Sequence, residues 1–355
     1  MPTKSKIEWT DVTWNPVRGC SPVSAGCDNC CAARQAVRMS GPGGAYEGLV
    51  RSTPDGPKWT GVVKMDYAQI TVPFHWSKPR RVFVNSMSDL FHEDVPQVFI
   101  WHVFGVMAFN KRHTFQVLTK RPDRARKILS SPDFLDRAAR AALIYRPISD
   151  LMAKRLPLIA DIQKGDERLT DLLARHFCSD PAKYPLPNVW LGVSVENNSF
   201  RARIEELLRT PAAVRFVSYE PALGPLDLNR SEDDYWWDYL RGAMACEGRN
   251  EPVDTPRIDW MICDGESGPN ARPCHPDWIR FVRDQFSAAG VPFLFKGWGE
   301  WSPHAGHIGS PYQYIDRFGS PAHVNDPAAV PLWRIGKREA GRIIDGRIHD
   351  EYPNV

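Results

Sequence analysis

Apolar and polar positions along the chain fall into two alternating rhythms. Short β-branched and apolar runs, each closing on a polar or glycine-containing turn, recur at Arg81–Asn85, Thr114–Leu118, Val189–Val193, Val214–Ser218, Trp260–Cys263 and Val291–Phe295. Between them lie stretches with apolar residues three and four positions apart, at Pro96–Phe109, Arg201–Leu208 and Asp277–Ala289. The first rhythm predicts strands and the second predicts helices. With a further strand near Asp11–Trp14, strand and helix alternate through the chain, which predicts an α/β fold on a parallel sheet. About seven strands suit a partial or full TIM-type barrel with helical insertions, and a doubly wound open sheet is the alternative.

Polar residues gather directly after these runs. They are Asn85-Ser86-Met-Ser-Asp89, Thr119-Lys120-Arg121, Ser194-Val-Glu196-Asn197, Tyr219-Glu220-Pro221, Asp264-Gly-Glu266-Ser267 and Lys296-Gly-Trp-Gly-Glu300. In a parallel barrel the carboxyl ends of the strands share one face, where barrel active sites are built. Any single tail reads equally well as a helix cap, because Ser, Asp and Asn favour caps. Six at one end point to a site.

Two stretches interrupt the barrel, which is expected over 1–129 and 188–305. Residues 130–187 exceed an ordinary βα connection and carry helical periodicity in Phe134–Ile144 and Leu169–Phe177, so a helical insertion is expected. Residues 229–256, with Trp236, Trp237 and Tyr239, form a second, lid-like insertion, and 306–355 a C-terminal extension.

The densest chemistry lies in Gly19-Cys20-Ser-Pro-Val-Ser-Ala-Gly26-Cys27-Asp-Asn-Cys30. Structural zinc sites fill four positions, whereas three thiolates hold an iron–sulfur cluster with one iron left open. Gly19 and Gly26 let the backbone approach such a cluster. Cys30-Cys31-Ala-Ala-Arg34 then opens a helix whose amides favour an anion. A zinc reading needs a distant fourth ligand such as His75, His92 or Cys274, and three inert reduced thiols are a third reading. An open iron needs a chelating ligand, which S-adenosylmethionine supplies through its amino and carboxylate groups. Asp89, Glu196, Glu220 and Glu266 offer acceptors for an amino group or ribose hydroxyls, while Lys120, Arg121 and Lys296 offer cations for a carboxylate or phosphate. A solvated surface is the ordinary alternative for those cations.

Composition adds boundaries. The chain has 355 residues, 43% of them hydrophobic, with a net charge of +3, which permits a nucleic-acid partner without requiring one. No apolar run approaches the roughly 20 residues that span a bilayer. Polar Glu8-Trp9-Thr10 follows the first residues where a signal peptide would be apolar, so a cytoplasmic protein without membrane contact is expected. The remaining five of eight cysteines are scattered, which does not suit a disulfide framework.

Eight ordered blocks carry a resemblance. They are Trp14-Asn-Pro-Val-Arg-Gly-Cys20, Gly26-Cys27-Asp-Asn-Cys30, Val84-Asn-Ser-Met-Ser-Asp-Leu-Phe91, Leu118-Thr-Lys-Arg-Pro122, Leu191-Gly-Val-Ser-Val-Glu-Asn197, Ser218-Tyr-Glu-Pro221, Gly265-Glu-Ser-Gly-Pro269 and Phe295-Lys296. From about Ile7 to Glu300 the chain resembles a phage-encoded, radical-SAM-like three-cysteine family. The resemblance implies a [4Fe-4S] cluster on Cys20, Cys27 and Cys30, and S-adenosyl-L-methionine cleaved reductively to a 5′-deoxyadenosyl radical. It further implies a flavodoxin- or ferredoxin-type reductant and a cytoplasmic setting, that of the host if phage-encoded. In that reading Asn85, Ser86, Asp89, Lys120, Glu196, Asn197 and Glu220 bind the cofactor, and Glu266, Ser267 and Lys296 serve catalysis. The chain departs from the family pattern at Cys31, usually aromatic, at Cys263-Asp264, usually glycine-rich, and at Gly297, usually glutamine.

Members of that family occur beside DNA-modification genes, which suggests an isomerase, mutase or base-modifying enzyme acting on a hypermodified base, such as an amino-acid adduct of thymidine in phage DNA. Trp236, Trp237, Trp298 and Trp301 would then stack an extruded base, with core packing as their alternative. Two other classes stay open: a zinc-binding nucleic-acid-binding module without redox chemistry, and a degenerate barrel that binds a protein partner.

Overall fold

Seven strands form the central sheet of the computed structural model, which describes residues 5–143, 184–232, 235–246, 252–304 and 312–354. They are β1 (Val12–Trp14), β2 (Arg81–Val84), β3 (Thr114–Thr119), β4 (Val189–Ser194), β5 (Val214–Tyr219), β6 (Trp260–Asp264) and β7 (Phe293–Gly297). Each pairs in parallel with the next, so spatial order equals chain order. A doubly wound sheet would reverse direction at a switch point, and this one does not.

Of the partial or full barrel expected, the described residues form the partial one, an open half-barrel. Closure of the full barrel takes eight strands, and among the described residues β1 and β7 do not pair. The C-terminal segment lies along the free edge instead. The Phe295 amide donates to the His349 carbonyl at 3.0 Å and Leu294 bridges Asp350 in antiparallel fashion. Beyond it, the Tyr352 hydroxyl donates to the Glu8 carbonyl at 3.1 Å, and Arg81 sits 4.4 Å over the Tyr352 ring.

The helices include α1 (Cys31–Ala36), α2 (Gln97–Phe109), α3 (Pro122–Leu129), α4 (Phe134–Leu143), α5 (Ala202–Leu208) and α6 (Pro276–Ala289); α2, α4, α5 and α6 follow the predicted periodicity closely, α1 opens at the predicted start, and α3 was not marked by the sequence. The boundaries of α6 have local causes. Pro276 suits the first turn, the His275 ring accepts from the Asp277 amide, and Gly290 at φ +66° ends the helix in the left-handed region. The Leu169–Phe177 periodicity and most of the 130–187 insertion lie outside the described residues.

Alternation along the strands sorts the side chains. Val82, Val84, Phe115, Val117, Leu191, Val193, Val217, Met261, Phe293 and Phe295 pack into the large core shared with the helices. The intervening positions, Trp190, Val214, Phe216, Trp260, Ile262 and Leu294, join Trp9 in a separate cluster on the concave face. Continued with period two toward the carboxyl ends, that concave series reaches Asn85, Lys120, Ser194, Glu196, Glu220, Asp264 and Lys296. The polar tails of the sequence therefore form the upper layer of the half-barrel.

Residues 229–254 build an antiparallel sheet of four strands, Asn229–Glu232, Tyr235–Asp238, Ala243–Cys246 and Val253–Asp254. It buries Trp237, whose indole donates to Thr255 Oγ1 at 3.0 Å. Trp298 is likewise buried, donating to the Ile343 carbonyl at 3.0 Å. Both are packing residues here, leaving Trp236 and Trp301 partly open. No described helix is long and apolar enough to cross a membrane.

Candidate functional site

The cysteine loop starts where Val17–Arg18 pairs with Lys64–Met65. Gly19 follows at φ +88°, and a Cβ there would come 2.2 Å from the Val62 carbonyl oxygen, so only glycine fits. Cys20, Cys27 and Cys30 are free and partly buried, and Cys31 is exposed. Two carboxylates anchor the loop. On one side Ser24 Oγ donates to Glu196 Oε1 at 2.7 Å, and Gly26 lies so close that a Cβ would sit 2.3 Å from the same oxygen. On the other, Asn29 Nδ2 donates to Glu266 Oε2 at 3.0 Å while Arg272 Nη2 holds the Ala25 carbonyl at 2.9 Å. Glu196 belongs to the end of β4 and Glu266 to the end of β6, so the sheet itself fixes the loop.

Burial pushes the Cys20 thiol up to about 12; the Asp89 carboxylate adds to this and the Arg121 guanidinium opposes it. Cys27 and Cys30 push it in the same direction to a smaller extent. Burial also raises Cys30, with the Cys31 charge adding, while the Trp59 side chain donates to its sulfur and works against the rise. Among the described residues no three His, Cys, Asp or Glu side chains converge as a ready-made metal site. The donor set is nevertheless all sulfur, and thiols release their protons when a metal binds. Of the distant zinc ligands considered, His92 is engaged by Ser21 Oγ at 2.8 Å, and Cys274 is buried in the core.

Beside the loop lies the charged upper layer. Lys120 Nζ donates to Ser194 Oγ at 2.5 Å and to Glu196 Oε1 at 2.6 Å, and Arg203 Nη1 holds Glu196 Oε2 at 3.0 Å. Lys296 Nζ stands 3.0 Å from Glu220 Oε2 and 3.1 Å from Asp264 Oδ2, with Lys337 Nζ 3.4 Å from the latter. Burial raises the Glu220 carboxyl despite the pull of Lys296. Burial would lower the Lys296 ammonium, but the Glu220 and Asp264 carboxylates outweigh it and hold the lysine charged. Glu220 Oε1, Asp264 Oδ1, Asn85 Nδ2 and Ser267 Oγ are buried without a hydrogen-bond partner. Native interiors rarely leave such atoms bare, and a ligand with complementary groups removes the cost. A cleft of about 460 Å³, lined by Ala25 of the cysteine loop together with Asn197, Arg272, Trp278, Trp301 and Gln313, opens alongside.

The other residues singled out in the sequence have mainly structural engagements. Asp89 accepts from Thr119 Oγ1 at 2.8 Å, the Lys120 amide at 3.1 Å and Arg121 Nη1 at 3.2 Å, tying the ends of β2 and β3 together. Asn85 adopts φ +60°, its Oδ1 accepting from the Val17 amide at 3.4 Å, and Ser86 Oγ donates to Asn15 Oδ1 at 3.2 Å. Asn197 is a cap, accepting from the Ser199 amide at 2.9 Å. Glu266 is held below the usual carboxylate range, its burial outweighed by hydrogen bonds from Arg272 and Asn29. Arg203, Arg272 and Lys337 were not marked by the sequence. Arg203 and Arg272 have as their only signal a basic residue a few positions after an acidic strand end, which any solvated surface also shows, and Lys337, 73 positions from Asp264, has none.

No curated protein matches the chain. A solved structure of a spore photoproduct lyase, a mutant in which one cysteine is replaced by serine, aligns with it at a TM-score of 0.34 and 9% identity, covering 96% of this chain and 72% of that one. A family model described as "Protein of unknown function (DUF5131)" matches residues 4–353, and the chain belongs to that family.

Proposed function

We propose that the protein is a radical S-adenosyl-L-methionine enzyme in which Cys20, Cys27 and Cys30 hold a [4Fe-4S] cluster whose fourth iron binds the cofactor. One observation carries the reading: a three-thiol loop is strapped by Glu196 and Glu266 onto the strand ends, beside buried polar atoms with no partner. When bound, the cluster would supply the one electron needed to cleave the sulfonium C–S bond of the cofactor reductively. The chain's own groups bind and orient. Glu220 Oε1 and Asp264 Oδ1 accept from amino or hydroxyl groups, Asn85 Nδ2 donates, and Lys296 keeps the acidic pair compensated. Arg121, 4.0 Å from Cys20 Sγ, offsets negative charge on that sulfur. We place the substrate in the cleft beside Ala25, with a modified DNA base rearranged or altered there as the substrate.

Anaerobic reconstitution tests the class. A brown protein that yields deoxyadenosine after dithionite is expected; one colourless zinc per chain would replace the enzyme with the zinc-module reading. Cys27→Ala abolishes iron binding, whereas Cys31→Ala, altering an exposed thiol, retains it. Loss of iron from Cys31→Ala would overturn the ligand set. Activity on duplex DNA should fall steeply with salt, and a flat response would remove DNA as the substrate.

A further inference from the structure

The cysteine loop has an outer side that the polar layer does not use. A hairpin of Val50–Arg51 and Lys58–Trp59 packs there against α1, and Ala33, Ala36, Tyr46, Leu49, Val50, Trp59 and Met87 form a small core of their own. Cys20 and Cys30 pack against that core. Trp59, 7% exposed and carried on a surface hairpin, thus belongs to the small core against which Cys30 packs.

The charge on this side is lopsided. Residues 18–66 hold six Lys or Arg against four Asp or Glu. Two of the acids are already taken, Asp66 by Arg18 and Asp28 by Arg272 at 3.4 Å. The cations instead engage uncharged groups: Lys58 donates to the Asp28 carbonyl, Lys64 to the Glu47 carbonyl at 3.3 Å, and Arg34 to the Ser267 carbonyl. Among the described residues Arg38 and Arg51 have no carboxylate partner, and both are exposed. Met39 at 41% and Val62 at 50% exposure add apolar contact, Val62 lying against Gly19 next to Cys20. Glu47 and Asp55 are the remaining acids, both exposed, so the rim around these apolar residues is positive by a net two charges, the kind of complementarity that steers a transient interface.

We propose that this basic face is the docking surface of a small acidic one-electron carrier protein, with Trp59 and Cys30 as the entry path to the iron. The inference rests on the cluster reading above. One electron leaves the reduced carrier and arrives at the cluster; no bond forms or breaks and no proton moves.

The test uses the reconstituted full chain with reduced flavodoxin as the carrier and dithionite as a chemical reductant, reading the paramagnetic signal of the reduced cluster. In Arg38→Glu/Arg51→Glu/Lys64→Glu, carrier-driven reduction should slow at least about tenfold and lose its salt dependence, while dithionite-driven reduction and iron content stay unchanged. An unchanged carrier-driven rate overturns the proposal, as does an equal fall with both reductants. If the triple variant does not fold, Arg51→Gln/Lys64→Gln should show the same selectivity at smaller amplitude. A wild-type chain that takes up no iron removes the cluster reading instead. Titration calorimetry with oxidised flavodoxin still decides docking in that case: salt-sensitive binding lost in the charge-reversed variant supports it, and no binding overturns it.

Discussion

Glu266 and Glu220 sit at the ends of adjacent parallel strands and differ in one respect: whether their oxygens are occupied. Glu266 takes Arg272 Nη2 on one oxygen and Arg272 Nε, the Arg272 amide and Asn29 on the other. Glu220 has Lys296 on one oxygen and nothing on the other. Glu196 resembles Glu266, with Ser24, Lys120 and Arg203 filling both oxygens. The saturated pair therefore works as scaffold for the cysteine loop, and the unsaturated one is available to a ligand. Residue type and position at a strand end do not separate the two roles; partner count does.

The comparison is open to direct attack. The largest effect is expected from Glu196→Ala, which leaves Lys120 and Arg203 facing each other across a buried gap and costs on the order of 3–5 kcal/mol in denaturant unfolding. A loss below about 1 kcal/mol would mean that the scaffold role is misassigned. Gly26→Ala comes next. It pushes a methyl into Glu196 and should cost about 1–3 kcal/mol and weaken iron retention, whereas Gly41→Ala, with nothing within 4 Å, leaves both alone.

The smallest effects carry opposite signs. Glu266 titrates below its unfolded value near 4.3, so its stabilisation is full above that pH and disappears as pH falls through the lower folded value. Glu266→Gln should lose about 2 kcal/mol at neutral pH and flatten the acid limb of the stability profile. Glu220 titrates above its unfolded value, so its ionisation opposes folding as pH rises past that value. Glu220→Gln should leave the ligand-free protein equally or more stable at neutral pH while weakening cofactor binding. Equal destabilisation by both variants would erase the distinction.

Much of this was readable in advance for a specific reason. A parallel sheet puts every strand's carboxyl end on one face, so the runs ending at Asn85, Leu118, Val193, Ser218, Cys263 and Phe295 predicted a shared polar layer without any contact map. Which residues of each tail point inward is plain only once period two is continued from the concave cluster of the folded sheet. Partner choice was hidden, because it depends on segments brought together by the fold. Arg272 reaches Ala25 across 247 positions, and Lys337 meets Asp264 across 73. Asn197 is the opposite case: its Oδ1 accepts from a residue two positions on while the residue also lines the cleft, and a cap and a ligand contact look alike in sequence. The covering of the open edge was not readable because, among the described residues, the segment at His349 and Asp350 that lies along β7 is irregular chain, which leaves no period to detect.

That covering segment also sets the order in which the molecule can be assembled. The contact between Tyr352 and Glu8 spans 344 residues, near the greatest separation this chain allows. Contacts so distant in sequence form late, after local helices and adjacent strand pairs. The edge of β7 thus stays a bare row of backbone donors and acceptors until the final turn of folding, an open template for another chain. The step that seals the sheet is also the step that protects the molecule from its own copies.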